Sequence, residues 1–455
     1  MNPERIQPLN DKEPDDRGSY VLYWMQQSQR AVFNHALEYA ARIANDRGQG
    51  LVVGFGLMAD YPEANARHFA FMLDGLADVG EALRERGIKF VMRKGSPDEV
   101  ALDLARQASV IVCDRGYLRH QRAWRKRLAE ACRKRLVQVE SDVVVPVNSV
   151  SDKAEYAART IRPKIMDRIE RFSGSLPKTK LETSSVGAEI ASDLPFDQPE
   201  TVLADLDVDR SVGPVDFSRG GTAEAQHRLT RFIRSSLKGY EENRSDPSKQ
   251  QSSGLSPYLH FGQISPVEIV RKVRAAKSVS QADKDAFIEE LVVRRELAAN
   301  FVQFTPDYDK FDCLPDWAKD TLDEHKSDER PARYTRSQLA AGKTGDRFWN
   351  AAMAEMRETG SMHNYMRMYW GKKILEWCNT PKYAFETALY LNNKYFLDGR
   401  DCNSFANVAW IFGLHDRPWQ EREVFGKVRY MNAKGLTRKF DMDAYVERIQ
   451  GLADR

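Results

Sequence analysis

Cysteine is scarce: five in 455 residues, at positions 113, 132, 313, 378 and 402, an odd number with no CxxC spacing. That pattern excludes a disulfide framework and gives no zinc site, so reduced thiols in a cytoplasmic compartment are expected. No run of eighteen apolar residues occurs, so no membrane-spanning helix is expected. The opening stretch MNPERIQPLNDKEPDDRGSY is polar and has no apolar signal region. An excess of one charge is also missing. There are 69 basic and 66 acidic side chains, a net charge of +3, so any surface for a polyanion has to be local. The eight histidines show no metal-ligand spacing, and there is no internal repeat.

What is present is a large apolar fraction, 42% against 30% charged, on a chain long enough for two or three domains. Residues 1–172 read as alternating strands and helices. Short apolar runs stand at VLYWM (21–25), LVVGFG (51–56), KFVM (89–92), SVIVC (109–113) and VVVPV (143–147). A helix is expected after Ser28 as N-cap, with Phe33, Leu37 and Ile43 on one side. Strands separated by helices predict a doubly wound parallel sheet. Residues 173–222 are rich in Ser, Pro, Gly and Asp, with little periodicity, and read as an interdomain linker. From 223 to 455 the pattern is helical, and six of the eight tryptophans fall between 317 and 419. The fold class expected is an α/β domain followed by an all-α domain.

Two motifs fail on inspection. Gly54-Phe55-Gly56 lacks the third glycine of a dinucleotide fingerprint and reads as a strand-end turn. Gly342-Lys343-Thr344 would need a glycine where Ser337 stands to be a phosphate loop.

Several longer segments, in one order, carry more. YWMQQSQR (23–30), GLSPYLHFGQIS (254–265), RMYWGKKILEW (367–377), LNNKYFLDGRD (391–401) and the gapped ERE-FG-RYMN (421–432) resemble signatures of class II cyclobutane pyrimidine dimer DNA photolyases, within the photolyase and cryptochrome family. The resemblance spans nearly the whole chain. It implies a helical domain that binds FAD, double-stranded DNA containing pyrimidine dimers as partner, and light-driven repair by a monomeric enzyme. It also allows an antenna chromophore, deazaflavin or folate, in the N-terminal domain.

The same resemblance assigns residues. Ser252, Ser253, Gly254, Leu255 and Ser256 match the flavin diphosphate loop, where hydroxyls and amides suit phosphate oxygens; alone they would read as a helix cap before Pro257. Tyr240 matches an upstream flavin contact. Arg367 and Asp398 match a buried ion pair beside the flavin ring, where a cation stabilises the anionic reduced form. Asn392 is the first choice for the side chain facing flavin N5, with Asn403 the alternative. Trp370 corresponds to the electron donor nearest the flavin, Trp349 to the next step and Trp377 to a branch. Without the family match, this stripe would read as core.

For the substrate, Glu290 matches the carboxyl that bonds the flipped dimer, and Met368 and Trp410 match the pocket walls. Glu290 could equally pair with Arg294 at i,i+4, and Trp410 could be core. Arg244 matches a residue at the lesion. Asp416 and Arg417 match the loop that fills the duplex hole, and Lys427, Arg429 and Lys434 lie where phosphates would pass. A second basic stretch, Arg115 to Arg135, reads as a solvated helix. Departures from the pattern are Ser245 for asparagine, Cys402, Ser404 and Phe405 after the aspartate, and no tryptophan near Arg294. They leave a cryptochrome-like photoreceptor as the alternative. A light-independent FAD-binding or nucleic-acid-binding module is a third reading, against which the tryptophans speak.

Overall fold

A computed structural model describes residues 1–453. The N-terminal part holds a six-stranded sheet in the order β1-β6-β5-β2-β3-β4. The strands are β1 (Ile6–Pro8), β2 (Tyr20–Trp24), β3 (Gly50–Leu57), β4 (Lys89–Lys94), β5 (Ala108–Asp114) and β6 (Leu136–Val139). β1 is antiparallel to β6, and all other pairings are parallel. Every residue of β2, β3, β5 and β6 is buried. This is why the strands read as continuous Val, Leu and Ile runs and not as alternating ones: helices cover both faces. The chain winds outward from β2 to β4 and then returns to β5 on β2's other side. The crevice at this switch point, beyond the carboxyl ends of the strands, is where open α/β sheets bind ligands.

Three local expectations are corrected. Residues 143–147 are not a strand. The run is a buried loop whose polar backbone is satisfied from outside: Glu296 accepts from the amides of Val144 and Val145, and Arg5 donates to the carbonyls of Val143 and Val144. The strand on that side is β6, followed by this loop. Ser28 is not an N-cap. It is buried, donating its hydroxyl to Asp142 and its amide to Asp114, while Asn34 caps the helix His35–Asp46. Gly54 and Gly56 lie inside β3 and not in a turn. A Cβ on Gly54 would come within 2.5 Å of Leu104, and one on Gly56 within 2.7 Å of Pro97, so the glycines let the helix Pro97–Ala105 settle on the sheet.

Within 173–222 the one complete helix is Pro199–Asp205, and Thr222 opens the next. The stretch is tied along the sheet domain by the Thr179 amide on Glu38, the Ser185 amide on the Gly87 carbonyl and the Asp193 amide on the Met92 carbonyl. Ile161, Ile165, Ile169 and Phe172 pack into a core with Phe232, Tyr240 and Phe287 of the helical half. A second core surrounds Trp349, Trp370 and Trp377. Arg67 joins the halves. Its guanidinium donates to the carbonyls of Met356 (3.1 Å), Arg357 and Tyr395 (2.8 Å). These are last-turn acceptors of the helices Arg347–Thr359 and Pro381–Tyr395, where a cation also meets the negative end of each helix dipole. No helix among the described residues is long and apolar enough to cross a membrane.

Candidate functional site

The helix Asn364–Trp377 is the spine of the site, and four neighbours meet it in turn along its length. At its start, His363 caps the helix, accepting from the Tyr365 amide, and touches the backbone of Arg244. Arg244 in turn donates to Glu290 at 2.8 Å. Glu290 therefore pairs with Arg244, whereas Arg294 pairs with Glu289 at 3.2 Å. The reason is local: Glu289–Arg294 is a π-helical stretch, which changes the side-chain rotation that an α-helical i,i+4 reading assumes.

One turn further, Arg367 holds both oxygens of Asp398 at 3.0 Å, and its guanidinium lies 3.9 Å from the Phe396 ring centroid. The Ser256 hydroxyl donates to the same carboxylate. The 252–256 loop, with Gly254 at φ +64°, is thereby tied to the pair by a side chain from its last residue. Tyr240 is buried against Phe232 and Phe287, and this burial raises its pKa. Asn392 is buried with its amide on Asn393 at 3.0 Å. Asn403 is half-buried and donates to Asp401 at 2.8 Å, lining a polar cleft with His260, Arg295 and Asp142.

The third neighbour is aromatic. Trp370 is fully buried, its ring 6.4 Å from Phe396, and its indole N–H has no partner among the described residues. Trp349 donates its indole N–H to the Trp370 carbonyl at 3.0 Å and meets Trp377 edge-on at 5.5 Å; Trp377 meets Tyr334 at 5.1 Å. Trp377 therefore contacts Trp349. Position seven residues along a helix fixes a face, not a partner, so the sequence could not name that contact.

The fourth neighbour is the end of the helix Cys402–Ile411, which carries Trp410. Trp410 and Met368 are both half-buried, so neither is plain core. Arg429 lies 5.9 Å from Trp410 and 4.7 Å from Trp419, and Arg417 lies 5.6 Å from Trp419. Trp419, 40% exposed between two arginines, is a residue that sequence reasoning missed; an aromatic among basic residues was its signal. Its indole N–H reaches Asp416 at 3.2 Å. Lys427 and Lys434 are exposed. The Arg115–Arg135 stretch is not simply solvated: Arg115 is buried on Glu140, Arg125 is buried on the Gly116 carbonyl, and Arg119 pairs with Asp309.

A separate cleft opens at the switch point of the sheet. It is lined by Met25, Gln26 and Gln29 after β2, Phe55 and Leu57 of β3, and Tyr61, Trp124, His260 and Arg400. Both amide atoms of Gln26 and the Gln29 oxygen are buried there without partners among the described residues. The glutamines lie in the YWMQQSQR run, but no role could be read for them there. The segment around Asp398 partitions the two sites: Arg400 faces the cleft while Asp398 faces Arg367.

The residues on the spine fit a bound group with an anionic part and a hydrogen-bonding ring. The loop before Ser256, the Arg367 guanidinium and the free Trp370 N–H supply the donors.

A family model described as DNA photolyase matches residues 21–182. The chain is 49% identical over 454 residues to a deoxyribodipyrimidine photo-lyase of Methanothermobacter thermautotrophicus, covering all of both chains. Among solved structures, it resembles a bacterial class III photolyase from Agrobacterium tumefaciens, with a TM-score of 0.74 at 20% identity over 95% of this chain and 86% of that one. It also resembles an archaeal photolyase from Sulfolobus tokodaii described with two FAD molecules, with a TM-score of 0.70 at 15% identity over 94% and 89% of the two chains.

Proposed function

This chain belongs to the DNA photolyase family, and on that premise we propose that it uses FAD and blue light to split cyclobutane pyrimidine dimers in DNA. The observation that carries this reading is one helix that bears Arg367 of the Arg367–Asp398 pair and Trp370, and whose N-cap His363 touches the backbone of Arg244, the partner of Glu290. Reduced FAD supplies, on absorbing light, an electron that opens the dimer ring and is then returned.

The chain's own residues bind, orient and exclude. Ser252 to Ser256 hold the diphosphate, and Asp398 fixes Arg367 so that its charge stays near the ring. Tyr240 would pack on the cofactor, and Asn392 would supply an amide to its ring. A dimer within a duplex cannot reach a buried cofactor and has to be flipped out; photolyases are among the examples of that rule. Met368 and Trp410 wall the pocket it enters. Glu290 accepts hydrogen bonds from the base edge, held in place by Arg244. Asp416, Arg417 and Trp419 fill the vacated duplex position, and Lys427, Arg429 and Lys434 meet the phosphates. The cleft with the unpartnered Gln26 and Gln29 is the place for a second, light-gathering chromophore such as a deazaflavin. The protein acts as a monomer in the cytoplasm, with the chromosomal DNA.

The test is a repair assay on dimer-containing DNA with and without blue light, together with cofactor release on denaturation. Light-dependent repair and release of FAD are expected. FAD without repair would favour a photoreceptor, and protein that cannot be loaded with FAD would overturn the reading.

A further inference from the structure

The most deeply buried charged side chain of the spine helix is one that the proposed function does not use. Lys372 is 1% exposed, two residues past Trp370. Its ammonium reaches one acceptor, the carbonyl of Ile411. Gly371 makes this reach available: a Cβ there would lie 2.1 Å from the Ile411 side chain, so the glycine leaves room for Ile411 to pack on the spine helix. Ile411 ends the helix Cys402–Ile411, and its carbonyl is among those that no later helical amide can serve. The Gly413 amide serves Trp410 and the Leu414 amide serves Ala409, while Lys372 serves Ile411. A cation at a helix carboxyl end is also favoured by the dipole. The chain turns sharply right after this point, with Gly413 at φ +115° and His415 at φ +60°, and then enters the Asp416–Arg417 loop.

We infer that Lys372 is a positioning residue for damaged DNA: by holding the Ile411 carbonyl it fixes Trp410 and the start of the 416–419 loop against the helix that carries Arg367 and Trp370. This rests on the assignment of Trp410 and the 416–419 loop to the lesion. Burial lowers the Lys372 pKa to about 7; Asp416 opposes the shift and Arg429 adds to it. Lys373 and Glu376 are the charged neighbours on its own helix, and they pair with each other at 2.5 Å. Arriving phosphates stabilise the ammonium form, so binding takes up a proton, and affinity falls as the pH rises above about 7.

The experiment uses full-length, FAD-loaded protein: wild type, Lys372→Met and Lys372→Gln. Affinities for dimer-containing and undamaged duplex DNA are measured at several pH values between 6 and 9, alongside the rate of flavin photoreduction. The expected result is that Lys372→Met weakens binding of damaged DNA about tenfold, the scale of a lost bond to a charged donor. Photoreduction should stay unchanged, binding of undamaged DNA should fall by less than binding of damaged DNA, and the pH dependence seen in wild type should flatten. His325, which titrates between Asp328 and Glu421 near the same loop, is common to all variants and drops out of the difference. If Lys372→Met does not fold, Lys372→Gln, with a shorter neutral donor, is expected to show the same loss. Variants that bind damaged DNA as wild type does, or that lose FAD and photoreduction in parallel, would overturn the inference. If wild type itself does not prefer damaged DNA, it is the underlying assignment that fails.

Discussion

At the residue scale, the proposed route for reducing the oxidised cofactor by light runs through three tryptophans. Each is buried, and the contacts run from Phe396 to Trp370, Trp349 and Trp377. Core packing alone would not require an unpartnered indole N–H at Trp370, because tryptophan is costly wherever its donor goes unused. Trp370→Phe should block photoreduction of oxidised FAD, yet leave repair intact once the flavin is chemically reduced. Trp349→Phe should slow photoreduction similarly, and Trp377→Phe less, since it removes the outermost member. Illumination of each loaded variant with a thiol donor, followed by the flavin spectrum, is the measurement. A Trp370 variant reduced at the wild-type rate would make the series core. Glu290→Ala belongs to this scale too. It removes the acceptor held by Arg244 at 2.8 Å and should cut affinity for damaged DNA about tenfold, with FAD still bound. Equilibrium binding and cofactor absorbance check both halves of that statement.

At the element scale, the 143–147 loop shows what a strand-like run does when it finds no neighbouring strand. Its amides go to Glu296, whose pKa burial pushes up to about 8 even though those two amides pull it down. The folded form therefore binds a proton more tightly than the unfolded chain does. The stability this gives is fully present below the ordinary glutamate range and is lost as the pH rises towards 8. Glu296→Gln should flatten that decline, which would otherwise approach about 1.4 kcal/mol per pH unit. Thermal melts between pH 5 and pH 8 would show it, and an unchanged slope would count against the assignment. Such a loop could not be told from a strand in advance. Val-rich runs look alike whether a sheet neighbour or a buried side chain completes their hydrogen bonds.

At the scale of the whole molecule, a net charge of +3 hides an uneven surface. Arg417 and Arg429 flank Trp419 beyond Trp410, and Lys427 and Lys434 are exposed in the same stretch of chain, so binding should still weaken steeply with salt. Lys434→Ala, an exposed change on the short helix Ala433–Lys439, should lower the slope of log affinity against log salt by about one, for damaged and undamaged DNA alike. Titrations at a series of salt concentrations test this, and a change confined to damaged DNA would contradict a phosphate role. Arg67 acts at the same scale. Its three bonds to helix ends hold the sheet domain against the helical half, so Arg67→Ala should lower the melting temperature and loosen both sites together.

The sequence by itself determined the alternation of strands and helices at the start of the chain, the four strands from β2 to β5, and the segments that carry the family likeness. These are local properties, written in periodicity, turn residues and motif strings that need no partner to be recognised. Even there, β1 and β6 escaped notice, because three- and four-residue strands are too short to show a period. The Arg367–Asp398 pair was legible only through the motifs around it, since a lone Arg and Asp are usually surface charges. Only the tertiary structure decided which side chains meet: Arg244 with Glu290, Trp377 with Trp349, Arg429 with Trp419, and Lys372 with the end of a helix some forty residues on. Three of these join segments well apart in the chain, and Arg429 meets Trp419 across one loop. Helix crossings and a π-helical turn set those meetings, and neither leaves a mark in the order of residues.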